Sequence, residues 1–218
     1  MLSNSQIKTL DNLDHCIFDL MSKEHTGHDY YHVKRVVNLT SRLICNTDNE
    51  FVIKAIAYLH DVYDDKVSKT SDLESDLKKL IETWCLDFEG YENEIIQGVS
   101  QIGYKGGFGI KHKIRPAQIV SDADYLDSMG AIGIARTFYY AGSKGSNLYN
   151  PNLERISIDS LDTYRNAERN AIDHFDEKLL KLYDSLETEK ARAIGKVRHQ
   201  RLKDYYRNFY DEMNESDM

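Results

Sequence analysis

Only two prolines, Pro116 and Pro151, interrupt 218 residues. Nearly every backbone N–H can therefore join a helical ladder, and apolar residues recur at three- and four-residue steps almost everywhere. The chain reads as all-α. Ile7, Leu10, Leu13, Ile17, Leu20 and Met21 mark a first helix that stops near Gly27. Val33, Val36, Val37, Thr40, Leu43 and Ile44 mark a second, and Phe51, Val52, Ala55, Ile56, Leu59 and Tyr63 a third. Leu73, Leu77, Leu80, Ile81 and Trp84 mark a fourth, and Ile95, Ile96, Val99 and Ile102 a fifth.

The pattern breaks at GYKGGFG, Gly103 to Gly109, where four glycines in seven residues cannot sustain a helix. That loop reads as a hinge or as a lip over a site. Pro116 suits the start of a sixth helix through Ile119, Val120, Ala123 and Asp124. The run MGAIGIARTFYYAG carries the helical pattern on, so Gly130 is not expected to end it. From Ala141 to about Ile158 the chain reads as a long polar loop, expected to be mobile or to act as a lid. Two long amphipathic helices should fill about 159–214. The first is lined by Leu161, Tyr164, Ala171, Phe175, Leu179, Leu182 and Leu186, the second by Ile194, Val197, Leu202, Tyr205 and Phe209.

A chain of this length can bury one substantial core, and one domain spanning 1–218 is expected, with its motif-bearing core at about 19–141. The N-terminal MLSNSQIKTLDNLDH lacks the features of a secretory signal, and no segment offers the roughly 20 apolar residues of a spanning helix. A cytoplasmic protein without a membrane partner is expected. The net charge of −8 argues against a nucleic-acid polymer as partner. Cys16, Cys45 and Cys85 form no CxxC pair and read as buried free thiols in a reducing compartment.

Unusual polar residues fall on faces that the periodicity buries. His28 and His32, in HDYYHVKRV, are four apart and share a side, and His32 shares its stripe with Val36 and Leu43. His60 follows Val52, Ile56 and Leu59, with Asp61 beside it, and Asp124 follows Val120 by four. Burying such groups unpaired is costly, and a divalent cation is a common partner for two imidazoles and two carboxylates. Taken alone His32 reads as a satisfied core histidine; the four together read as a metal site. Asp127 and Arg136 suit either an ion pair or a role in that site, and His174 suits packing or capping.

GHDYYHVKRV, AYLHDVYDDK, IVSDADYLDSMGAIGIAR and NAIDHFDEKLLKL together resemble the HD superfamily of metal-dependent phosphohydrolases, and within it the bacterial YpgQ/YedJ-type pyrophosphohydrolases, from about Asp19 to Tyr210. The resemblance implies an all-α HD-domain fold with the metal between core helices. It implies His32, His60, Asp61 and Asp124 as ligands, with Asp124 preferred to Asp122 because Ala123, Asp124 and Asp127 match the family's spacing. Only His112 lies between the HD pair and the last Asp, so one divalent ion is expected. Mn2+ is preferred among Mg2+, Fe2+, Co2+, Ni2+ and Zn2+.

HDVYDD also resembles the HDxxED motif of guanosine tetraphosphate hydrolases, which implies Asp64 or Asp65 as the base that activates water. Lys66, Arg35, Lys105 and His28 are the candidate substrate contacts. The implied activity is hydrolysis of a nucleoside triphosphate to monophosphate and pyrophosphate by a monomer or homodimer. A 5'-nucleotidase, a guanosine tetraphosphate hydrolase and a nucleotide- or metal-binding sensor are the competing readings. A di-iron oxygenase would require a second metal.

Overall fold

Local signals at helix starts explain much of the architecture of the computed structural model. Ser3 and Gln6 cap each other reciprocally to open α1 (Asn4–Met21). Asp29 opens α2 (Tyr30–Leu43), Asn49 opens α3 (Glu50–Leu59) and Asp72 opens α4 (Leu73–Thr83). In each case a side-chain oxygen accepts an N–H that the first helical turn leaves unpaired. The structure describes residues 1–24, 27–63, 72–104, 107, 109–110, 112–154, 157–161, 163 and 168–215. Among them there are helices and no strand, the all-α class that the periodicity implies. The residues pack as two units, Met1–Gly103 with Ile110–Ala123, and Tyr104–Gly109 with Asp124–Met218.

In the first unit α3 is the centre. Phe51, Val52, Ile53, Ala55, Ile56, Ala57, Tyr58 and Leu59 are all buried, and only the edge that carries the Glu50–Lys54 ion pair, 2.7 Å long, reaches solvent. It packs against α1, α2 and α5 (Glu92–Ser100). Gly98 permits the α5 contact: a Cβ there would lie 2.3 Å from Ile56 Cδ1 and 2.9 Å from Cγ1. Overpacking of this kind outweighs the gain in helix propensity, and Gly98→Ala is expected to destabilise the protein by about 1–2 kcal/mol in urea titration. Ile56→Val, which removes Cδ1, should recover part of that loss. In the same unit the half-buried Lys34 of α2 donates to Asp14 Oδ1 at 2.9 Å and Tyr58 Oη at 3.3 Å, bracing α1, α2 and α3.

α6 (Arg115–Asp127) begins in the first unit, and its last residues belong to the second. It does not run on through Gly130 as the sequence suggests. Met129 is extended (φ −114, ψ 159) and Gly130 has φ +69, a region that disfavours side chains, so a new helix, α7 (Gly130–Ser143), starts there. A Cβ at Gly133 would lie 2.1 Å from the Ser128 carbonyl oxygen, so the first turn of α7 sits tightly against the residue that follows α6.

Elsewhere in the second unit, the stretch expected as a long helix up to Leu186 is a chain of short turns over its described residues. A 3-10 turn (Ala171–Asp173), the one-turn helix α8 (His174–Glu177) and a 3-10 stretch (Leu179–Ser185) follow one another. Lys178 leaves helical geometry at φ −136 and ψ −62, while Phe175, Leu179, Leu182 and Leu186 are still buried. Three- and four-residue spacing thus persists across broken turns. The final helix, α9 (Glu189–Met213), is long as expected and packs on α7, with Tyr205 stacked on Phe175 at 5.5 Å. The polar segment after α7 is tied down by N–H groups of Ala171 and Asn150, which donate to the Asn147 carbonyl and to Asn170 Oδ1 at 2.8 and 2.7 Å.

The cysteines depart from expectation as well. Cys45 and Cys85 are exposed and Cys16 is half-buried. Cys45 lies just beyond α2, and Cys85 follows α4 with a left-handed φ of 51, so neither sits on a helix face that the core covers.

Candidate metal centre

Two helix ends of the first unit build the site. Gly27, at φ +89, turns the chain into His28, whose backbone N–H donates to Glu24 Oε2 at 3.2 Å. Asp29 then caps α2 by accepting the N–H of His32 at 2.8 Å, fixing His32 in the first turn. The rings of His28 and His32 meet edge to face at 5.5 Å, so the four-residue spacing does put them on one side, although His28 precedes the helix. α3 arrives from the other direction and ends at Leu59, with His60 as its cap and Asp61 one residue beyond.

His60 Nδ1 lies 2.8 Å from the carbonyl oxygen of Ala57. A carbonyl only accepts, so Nδ1 carries a proton and the neutral ring keeps its lone pair on Nε2. That Nε2 faces His32 Nε2 at 3.3 Å. Asp61 completes the cluster: Oδ1 is 3.4 Å from His60 Nε2, and Oδ2 is 3.2 Å from His32 Nε2 and 2.7 Å from His28 Nδ1. His32 is fully buried, and His60 and Asp61 are each 6% exposed. Burial by itself pushes the Asp61 carboxyl up, but the imidazoles of His60 and His28, with hydrogen bonds from His28 and His32, hold it well below the usual carboxylate range.

This donor set fits a divalent cation. Ligand bonds of about 2.0–2.2 Å separate neighbouring donors by roughly 2.8–3.1 Å in octahedral and roughly 3.3–3.6 Å in tetrahedral coordination, a span of roughly 2.8–3.6 Å. The His32–His60, His32–Asp61 and His60–Asp61 separations, 3.3, 3.2 and 3.4 Å, fall in that range. Two imidazoles and a carboxylate form a donor set of borderline hardness. The 2.7 Å contact from His28 is a hydrogen bond, which puts that ring behind the carboxylate.

The other candidates are placed as follows. Asp124 is the first residue of the second unit on α6, half-buried and one turn after the buried Val120, while Asp122 is fully buried. Arg35 is half-buried on α2, three residues after His32. Asp127, 2% exposed, pairs with Arg136 at 3.0 Å within the second unit. His174 Nδ1 lies 3.9 Å from Glu177 Oε2, and His112 is exposed. Asp64, Asp65, Lys66 and Lys105 lie outside the described residues. The grip of Ala57 on His60 escapes a reading of the sequence, because it is a backbone contact three residues away that leaves no mark on residue type.

No family model matches the chain. Among solved structures, a Bacillus thuringiensis HD-superfamily hydrolase superposes with a TM-score of 0.68 at 29% identity, over 96% of this chain and 98% of that one. A Lactobacillus plantarum protein superposes with a TM-score of 0.84 at 27% identity, over 98% of this chain and 99% of its own. The chain thus has the all-α HD-superfamily fold, with histidine and aspartate donors that could hold a metal where two of its helices end. It is also similar to YpgQ of Bacillus subtilis, 28% identical over an alignment of 199 residues that covers 89% of this chain and 88% of YpgQ. The crystal structure of YpgQ in complex with ADP superposes with a TM-score of 0.69 at 25% identity, over 95% of this chain and 96% of that one. Among the described residues no helix is long and apolar enough to cross a membrane.

Proposed function

We propose that the protein is a divalent-metal-dependent phosphohydrolase that cleaves nucleoside triphosphates to the monophosphate and pyrophosphate. The observation that carries this reading is the buried convergence of His32 Nε2, His60 Nε2 and the Asp61 carboxylate at cation-ligand spacing. His32, His60, Asp61 and Asp124 would hold one ion, with Mn2+ the first cation to test. Bound there, a cation supplies Lewis-acid charge towards phosphoryl oxygens and lowers the pKa of water. The likeness to YpgQ, solved with ADP, supports a nucleotide as substrate.

The protein's own groups have distinct tasks in this reaction. The Ala57 carbonyl fixes the His60 tautomer. Asp64 or Asp65 takes a proton from water, whose oxygen bonds to the α-phosphorus as the bond to the bridging oxygen breaks and pyrophosphate leaves. Lys66, Arg35 and Lys105 donate to phosphate oxygens.

The direct test is to incubate metal-stripped protein with a nucleotide panel, with and without Mn2+, and to follow pyrophosphate and orthophosphate separately. Mn2+-dependent pyrophosphate from triphosphates is the expected result. Orthophosphate from monophosphates would make the protein a 5'-nucleotidase, and turnover confined to guanosine tetraphosphate would make it a hydrolase of that compound. Cation binding without turnover of any nucleotide would leave a sensor. Asp64→Asn should keep the cation and lose about 10²- to 10⁴-fold in kcat. An unchanged rate would move the base to Asp65.

A further inference from the structure

The Asp61 carboxylate has more neighbours than a ligand needs. Three imidazole nitrogens surround its two oxygens, and the shortest contact, 2.7 Å, comes from His28, which is too close to be a cation-bridged donor pair. A carboxylate only accepts, so His28 Nδ1 donates a proton to Oδ2. The terminal torsion of an aspartate is broad and roughly two-fold, so the buried backbone around Asp61 does not by itself select the plane of its carboxylate. A second contact on one oxygen does. With Oδ2 held by His28, Oδ1 is turned to His60 Nε2.

The His28 ring is itself fixed, by the left-handed turn at Gly27, the bond from its backbone N–H to Glu24 and the edge-to-face contact with His32. Its side chain is 14% exposed, so the bond to Asp61 is largely shielded from competing water.

We infer that His28 is a positioning residue: its Nδ1–H locks the orientation of the Asp61 carboxylate and thereby sets the affinity of the centre for a divalent cation. This rests on the cation-site reading above and assigns His28 a task other than contact with substrate. Outer-shell bonds of this kind are typically worth about 10- to 100-fold in metal affinity.

Titration calorimetry of Mn2+ into the metal-stripped full chain, without nucleotide, tests it. His28→Ala should bind one Mn2+ about 10- to 100-fold more weakly than wild type. His28→Asn places an amide N–H where Nδ1–H stands and should stay close to wild type. His28→Gln carries its donor one bond further out and should resemble His28→Ala. If His28→Ala fails to fold, the Asn and Gln pair decides the matter. Equal affinity in wild type, Ala and Gln variants overturns the inference and leaves the cation site standing. Asn as weak as Ala also overturns it, because the ring rather than the hydrogen bond would then matter. Wild-type protein that binds neither Mn2+ nor another divalent cation overturns the cation reading and this inference with it.

Discussion

His60→Ala and Asp61→Ala should each abolish stoichiometric Mn2+ binding and lower the proposed phosphohydrolase turnover by about 10³-fold or more, because several kcal/mol of charge stabilisation would depend on the cation they would hold. Far-UV circular dichroism should stay near wild type. α3 ends at Leu59, so both substitutions fall outside its hydrogen-bonded turns. The two variants lose the cation for different reasons. His60→Ala removes a lone pair aimed by the Ala57 carbonyl, whereas Asp61→Ala removes the negative charge around which three imidazoles gather. Calorimetry and a pyrophosphate assay on the same samples check both. Full turnover in either variant would remove the metal assignment.

Phe51→Ala should cost the fold more than Gly98→Ala does. Phe51 is 1% exposed in the first turn of α3, with ring contacts to Phe88 at 6.0 Å and Tyr91 at 6.4 Å. Truncation leaves a cavity lined by aromatic rings and costs about 3–5 kcal/mol. For a chain of this size the melting temperature should fall on the order of 10 °C. Thermal and urea unfolding measure it. A loss below about 1 kcal/mol would mean that the α3 N-terminus repacks freely, against close packing of the core.

The sequence was most informative where one local signal decided the outcome. The apolar spacing of Val33, Val36, Val37 and Leu43 marks α2, and that of Phe51, Val52, Ala55, Ile56 and Leu59 marks α3, although α3 stops at Leu59 and does not reach Tyr63. His28 and His32 share a side as their spacing implies. What escaped has a physical reason in each case. Lys178 breaks the stretch before Leu186, yet 3-10 turns also bring residues three apart together, so the apolar spacing carries no trace of the break. Gly130 sits in a run whose three- and four-residue spacing continues across it, and neither its φ of +69 nor the close approach of Arg198, 3.2 Å from a Cβ placed there, leaves a mark on that spacing. The partnership of His28 with Asp61 spans 33 positions, beyond the reach of any periodic pattern. Of the proposed catalytic and phosphate-binding groups, Asp64, Asp65, Lys66 and Lys105 fall outside the described residues; the first two are read from the HDxxED resemblance, the lysines from their charge beside the motif and on the glycine loop.

The burial of α3 has a kinetic meaning for any cation bound where the helix ends. Covered by α1, α2 and α5 except along its Glu50–Lys54 edge, the helix has little exposed surface from which to fray, so the segment that carries His60 and Asp61 is expected to open with the first unit rather than on its own. The donors are therefore ordered during folding rather than by the ion. An incoming cation would meet a preassembled pair, and the ordering entropy that a flexible site would lose at the moment of capture would already have been lost.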